Sequence, residues 1–250
     1  MLELTPDFIK EFAAYLSTEA GLRNGSIWAN CMWLKGVVMK AHYNGLIPRN
    51  PFIQFHISPN VKEREYLTED ELKAVMTHEF ADSKLAYIRD IFIFASFTAL
   101  SFVDIQELTN DNIVEVNGEK WILSKRHKTK VAFQVKLLDI PLQIVERYRP
   151  MQKDNRIFPG LNYWSICKPL KRMIRECGIT KSISFHCSRH GFATLALSKG
   201  MPIESVSRVL GHTNIVTTQL YAKITTQKLD NDLTMFGDKL SKTFNGITMS

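Results

Sequence analysis

Residues 186–221 read HCSRHGFATLALSKGMPIESVSRVLGHTNIVTTQLY, and the segmentation of this stretch governs the rest of the chain. His186 and Arg189 are three apart, so both side chains share one face of a helix. Phe192, Leu195 and Ala196 continue that helix toward a core. Gly200 ends it, and Pro202 stands where a first helical turn tolerates proline. Ile203, Val206 and Leu210 make a second short apolar stripe that stops at Gly211-His212. Thr213 or Asn214 then caps a third helix, with Tyr221 near its end. Nine residues separate His212 from Tyr221, about 900° on one continuous helix, which would point them in opposite directions. The glycine and the polar cap break the helix, so both side chains can converge on one site.

Working outward, the chain upstream alternates helix and strand signals. Thr5-Pro6 opens a helix with Phe8, Phe12, Tyr15 and Leu16 on its apolar face. Ser26 caps a second, striped by Ile27, Cys31, Leu34, Val38 and Ala41 and closed by Gly45. Pro48 and Pro51 mark a connector that the charged run 62–65 extends, which predicts a boundary near residue 60. Thr68 and Glu71 match a capping box at the start of the next region. A long apolar helix from about Lys84 to Leu100 precedes the strands. Residues 113–116 and 120–123 flank Asn117-Gly118, a hairpin turn signal. A third strand alternates Val131, Phe133, Val135 and Leu137 inward with Gln134 and Lys136 outward. Helices follow, and the residues after about Phe244 read as a tail. The fold class expected is mainly α with a small three-stranded antiparallel β-sheet, in two domains, 1–60 and 66–250.

The net charge is +7 and the pI near 9.2, which suits a polyanionic partner without singling out nucleic acid. Cys31, Cys167, Cys177 and Cys187 form no C-x-x-C pair and read as free thiols in a reducing compartment. The longest uncharged apolar run, Ile91 to Val103, is too short to cross a bilayer. Glu3 and Asp7 sit where a secretory leader would be basic and then apolar. A cytoplasmic protein is expected.

The spacing His186-Cys187-Ser188-Arg189, then Leu210-Gly211-His212, then Thr218-Gln219-Leu220-Tyr221 resembles the catalytic signature of the tyrosine recombinases, the phage-integrase family. H-x-x-R alone recurs by chance, but the combination with L-G-H and T-x-x-Y at matching offsets is specific. The resemblance implies a small helical core-binding (SAM-like) domain, here shortened, and a catalytic domain over residues 66 to about 236. It implies a site-specific recombinase or integrase of a mobile element that breaks and rejoins DNA without metal or other cofactor. Tyr221 would be the nucleophile, forming a 3′-phosphotyrosyl bond. Arg189 would contact the phosphate oxygens. His186 and His212 would hydrogen-bond the phosphate, with His186 assisting proton transfer.

The family's general-acid lysine lies between the second and third strands, where this chain reads Ser124-Lys125-Arg126-His127-Lys128-Thr129-Lys130. Lys128 is the first choice and Lys130 the second. Lys125, Arg126, Lys130 and Ser101 are expected as further DNA contacts; residues 120–136 hold six Lys and Arg and no acidic residue, between the strands and upstream of H-x-x-R. One departure stands out. The family's first catalytic arginine falls on Ser101 in Thr98-Ala99-Leu100-Ser101-Phe102-Val103-Asp104. Either Arg126, delivered by a mobile hairpin, fills that gap, or the chain is a DNA-binding regulator that does not cleave. A type IB topoisomerase is a chemically related alternative. The partners implied are double-stranded DNA, with room for an accessory DNA-bending protein, and no membrane. The chain would be a monomer when free and a homotetramer on DNA, docked through residues 225–236 with Leu229, Leu233 and Phe236. A bacterial, nucleoid-associated location goes with that reading.

Overall fold

A computed structural model describes residues 4–58, 65–152, 154–221 and 226–243, and the chain divides into two units, Met1–Glu63 and Arg64–Ser250. The expected boundary at 60, most of the run 62–65 and the tail after Phe244 lie outside the described residues.

The first unit is built on α1 (Pro6–Thr18) and α2 (Asn24–Tyr43). Thr5 caps α1, its side chain accepting from the Phe8 amide, with Pro6 in the first turn. The buried face differs in part from the sequence expectation: Leu16 is buried as expected, but Ile9 is buried beside it, while Phe8 and Tyr15 are exposed. Ile9 and Ala13 lie just beyond the Leu16 edge of the expected face, so the stripe is rotated toward Ile9, Ala13 and Leu16. In α2, Ile27, Cys31 and Val38 are buried as the stripe predicts. Ser26 is not its cap. The helix begins three residues earlier than that cap implies, at Asn24 after Arg23, which makes no side-chain capping bond, and Ser26 is inside the first turn.

The second unit starts with α3 (Glu69–Thr77), whose Thr68–Glu71 capping box is present in both directions, 2.7 and 3.2 Å. Next comes α4 (Ser83–Thr98), apolar on nearly every side because α3, α6 (Asp139–Tyr148), α7 (Tyr163–Glu176) and α8 (His186–Ser198) all pack on it. Burying each of its Ile, Leu and Phe side chains contributes roughly 2 kcal/mol. It ends two residues before Leu100, because Ala99 takes the left-handed conformation, φ +56°.

After α5 (Phe102–Gln106) the chain forms an antiparallel sheet in the order β1 (Ile113–Val116), β2 (Glu119–Lys125), β3 (Ala132–Lys136). Val116 pairs with Glu119 across Asn117-Gly118, both at positive φ, as a two-residue hairpin requires. Ile122, Phe133, Val135 and Leu137 are buried on the core face, while Val131 is only half-buried.

The C-terminal part holds α8, then α9 (Ile203–Leu210), α10 (Val216–Gln219) and α11 (Thr226–Thr243). In α8 full burial falls on Ala193 and Leu197, with Phe192, Leu195 and Ala196 only partly buried. Pro202 precedes α9 rather than sitting inside its first turn. The helix expected to carry Tyr221 is much shorter than the spacing suggests. It spans only Val216–Gln219, and Tyr221 sits just beyond it in a turn. Asn214 accepts from the Val216 amide at 2.9 Å, the local bond that starts this turn.

Candidate active site

Four short chain segments meet at the C-terminal end of α9. That end carries unsatisfied carbonyls and the negative end of the helix dipole. Two arginines satisfy it. Arg189, from α8, donates to the Leu210 carbonyl and, at 2.8 Å, to the Ala99 carbonyl that the left-handed turn of α4 presents. Arg126, directly after β2, donates to the Val209 carbonyl at 2.5 Å and lies 4.1 Å over the Phe133 ring.

The third partner of this arrangement is Asp104. Its carboxylate accepts from Arg126 at 2.7 Å, from the His127 amide at 3.0 Å and from the Ser101 hydroxyl at 2.8 Å. Burial alone would raise the Asp104 pKa, but the His127 amide, Arg126 and Ser101 together hold it below the usual carboxylate range. Arg126 is therefore not carried on a mobile hairpin, as the sequence suggests. It is 5% exposed and bonded at both ends. Ser101 uses its side chain to cap α5 and bond Asp104. It also borders a cavity of about 220 Å³ shared with Phe102, Tyr163, Phe185, His186 and Arg189. A larger cavity, about 250 Å³, lies between α3, α4 and the opposite side of α8 and holds no predicted site residue.

Gly211 makes the close approach possible. Its φ is +61°, and a Cβ there would stand 2.9 Å from Arg126 Nε and 3.0 Å from Cγ. The Arg126 Nε itself is buried and has no hydrogen-bond partner among the described residues. Among the described residues two guanidiniums are thus buried near a single carboxylate, which is paired with Arg126. Burial pulls the Arg189 pKa down to about 10, and the charge of Arg126 adds to that, while Tyr221 and Asp104 act in the opposite sense. Arg189 stays protonated at neutral pH.

The remaining predicted residues gather around this positive centre. His212 follows Gly211, and its Nδ1 is 2.8 Å from the Thr218 hydroxyl. Burial, then Arg189, Arg126 and His186, lower its pKa to about 4, so it is neutral at pH 7. Tyr221 is half-buried against the cluster of Ala99, Ala193, Leu197, Val206 and Leu210, and its amide donates to the Thr218 carbonyl at 3.0 Å. His186 is exposed at the start of α8. Its ring centroid lies 4.8 Å from that of His190, and His190 lies 5.1 Å from Tyr221.

Lys128 stands apart. It is exposed in the turn closed by the Arg126 amide donating to the Val131 carbonyl and the Lys130 amide donating to the Arg126 carbonyl, and Lys125 and Lys130 are exposed beside it. Lys120 and Lys136, at the far ends of the basic run, are paired with Glu146 and Glu119. Among the described residues Lys125, Lys128 and Lys130 form no ion pair.

Sequence reasoning gives no site role to Asp104, His190, Gly211 or Thr218. Ser101-x-x-Asp104 is a capping-box pattern, and His190 is four residues after His186 on the same helix face, so both carry a signal. Gly211 and Thr218 read only as spacing.

The sequence pattern of the phage integrase family covers residues 65–228, and that of the phage integrase SAM-like domain covers residues 1–57. The chain belongs to the phage integrase family. Members of this family, the tyrosine recombinases, cleave and rejoin DNA. Among its relatives, tyrosine recombinase XerA of Pyrococcus horikoshii is 32% identical over 177 residues, 65% of this chain and 58% of that one. XerC of Lactobacillus leichmannii is 25% identical over 229 residues, 86% of this chain and 77% of that one. The fold resembles the Tn1549 transposon integrase in complex with a circular intermediate DNA, with TM-score 0.80 at 18% identity, over 93% of this chain and 86% of that one. It also resembles the XerH recombinase bound to a palindromic difH substrate, with TM-score 0.74 at 19% identity, over 95% of this chain and 74% of that one. Among the described residues no helix is long and apolar enough to cross a membrane.

Proposed function

We propose that this chain is a site-specific DNA recombinase of the integrase type, acting through Tyr221. The observation that carries the reading is the surplus positive charge buried beside the tyrosine. Among the described residues Asp104 is the carboxylate that acts on both arginines, paired with Arg126 and reaching Arg189 through its charge alone, and Tyr221 lies within the field of Arg189. A buried guanidinium without a full counterion is costly, and a phosphodiester anion supplies the missing charge.

In this reading Tyr221 Oη attacks the scissile phosphorus and its proton leaves, assisted by His186. An O–P bond forms, the P–O5′ bond breaks, and Lys128 protonates the departing 5′-oxygen. Arg189, Arg126 and the neutral His212 meet the charge on the phosphate oxygens. The reverse attack by a 5′-hydroxyl releases Tyr221 and rejoins the strand. Arg126 thereby takes over from the residue at 101. Residues 1–60 would grip DNA as the core-binding domain and 66–250 would catalyse. Lys125 and Lys130 would contact the DNA backbone.

Assembly into a tetramer on DNA is supported by α11, where Leu229, Leu233 and Phe236 are 50%, 60% and 58% exposed on one helix. Their spacing of four and three forms an uncovered stripe suited to a neighbouring copy.

Covalent trapping tests the reading. Nicked duplexes that cannot religate should leave a denaturant-stable protein–DNA adduct with the wild-type chain and none with Tyr221→Phe, while native-gel binding is equal. Equal binding with no adduct from either would favour the regulator, for which Ser101 is the argument.

A further inference from the structure

His212 is neutral at pH 7, so only one of its two ring nitrogens carries a proton, and the position of that proton governs what it can do. With the proton on Nδ1, the free Nε2 lone pair would face phosphate oxygens, acceptor against acceptor. With the proton on Nε2, the imidazole is a donor, but Nδ1 then needs a donor of its own.

The group placed to supply it is Thr218. Its side chain is fully buried, and its Oγ1 stands 2.8 Å from His212 Nδ1. A hydroxyl rotates freely and can donate. The Thr218 carbonyl simultaneously accepts the Tyr221 amide at 3.0 Å, while its own amide is bonded to the Ile215 carbonyl at 2.7 Å. The His212 amide is tied separately to the Ser207 carbonyl at 3.1 Å. One buried residue therefore joins the histidine ring to the backbone of the nucleophile, and α10 serves as the bracket that holds it.

We propose that Thr218 is a positioning residue: its hydroxyl donates to His212 Nδ1, fixes the Nε2–H tautomer that faces the scissile phosphate, and locks that ring in register with Tyr221. The inference rests on the recombinase reading, since it gives His212 a phosphate to face. Partners of this kind, which orient a ring from behind, typically change activity by 10–100-fold when removed.

The test uses Thr218→Val, which keeps the shape and drops the hydroxyl, and Thr218→Ser, which keeps the hydroxyl. Nitrogen-15 NMR of the imidazoles in the full chain without DNA at pH 7 should show His212 protonated on Nε2 in the wild type and in Thr218→Ser. Thr218→Val should gain the Nδ1–H form. Single-turnover cleavage of a nicked duplex should slow roughly 10–100-fold in Thr218→Val and return to near wild type in Thr218→Ser, with DNA affinity unchanged in both. A wild-type chain with the proton on Nδ1 overturns the proposal. So does a Thr218→Val variant that cleaves at the wild-type rate, or a Thr218→Ser variant that cleaves as poorly as Thr218→Val while keeping the Nε2 tautomer. The NMR measurement needs no DNA. An inactive wild type would count against the recombinase reading, and the tautomer would still be decided.

Discussion

Arg126 and Lys128 are two residues apart and are held in opposite ways. Arg126 is 5% exposed, bonded to Asp104 and Val209 and roofed by Gly211, whereas Lys128 projects from an exposed turn with no ion pair among the described residues. On the proposed reading, the difference fits two kinds of chemical work. Charge that stabilises a phosphate transition state acts best when fixed in advance in a dry setting, where no reorganisation is needed. A proton donor must reach the leaving oxygen as it departs, and an exposed turn leaves it free to move. In that proposal the buried Arg126 belongs to a fixed platform in the second unit, and the exposed Lys128 is the donor at its edge.

The sharpest way to break the platform is to remove its charge without leaving an orphan. Arg126→Ala alone would strand Asp104 and cost about 3–5 kcal/mol of stability, confusing folding with catalysis. The pair Arg126→Met with Asp104→Asn removes both charges. It should keep a thermal midpoint near wild type and slow covalent adduct formation roughly a hundredfold or more. Wild-type cleavage by this double variant would show that Arg126 is only a strut.

A second variant separates strain from contact. Gly211→Ala and Gly200→Ala both place a Cβ at positive φ, +61° and +87°, at a cost of about 1–2 kcal/mol each. Around Gly200 nothing lies within 4 Å, whereas at Gly211 the new methyl meets Arg126 at 2.9 Å. Denaturant midpoints should fall in both, but adduct formation should collapse only in Gly211→Ala. An equal loss of cleavage in the two variants would mean that the Arg126 approach is incidental.

On the other side of the comparison, Lys128→Ala should leave stability untouched and slow cleavage roughly 10²–10⁴-fold, the usual weight of a general acid. A 5′-sulfur leaving group departs without protonation, because a thiol is far more acidic than an alcohol, so such a substrate should restore the variant. Failure of the sulfur substrate to rescue, beside a normal wild-type rate on it, would move the acid role to Lys130 or elsewhere.

These regions also differ in how far sequence alone can read them. Thr68–Glu71, Asn117-Gly118 and the α2 stripe are local rules, in which the residues that signal an element are those that form it. The hairpin that carries Lys128 is legible for the same reason. Arg126 is not, because its burial depends on Asp104, Val209 and Gly211, which lie 22, 83 and 85 positions away along the chain. No periodicity encodes such a meeting. The Tyr221 turn reads as a longer helix because capping residues announce a start and say little about how soon a helix stops. The rotated face of α1 shows the same limit, since Phe8 and Tyr15 are apolar enough to suggest a core that Ile9 and Leu16 in fact occupy.

The mildest effect expected concerns acid stability, and it also separates platform from edge. His212 titrates near 4 in the folded chain against about 6.5 when unfolded. The unfolded chain therefore binds the proton first, and the stability linked to His212 is present above about pH 6.5 and lost progressively as pH falls toward 4. Asp104, whose pKa is lowered, adds a loss at still lower pH, as its carboxylate protonates. His212→Gln removes the first of these contributions. The gap in thermal midpoint between wild type and His212→Gln should therefore narrow between pH 7 and pH 4.5, while Lys128→Ala tracks the wild type throughout. A gap that stays constant over that range would mean that His212 is not held neutral by its burial and the neighbouring arginines, and the platform would then reach less far than its geometry indicates.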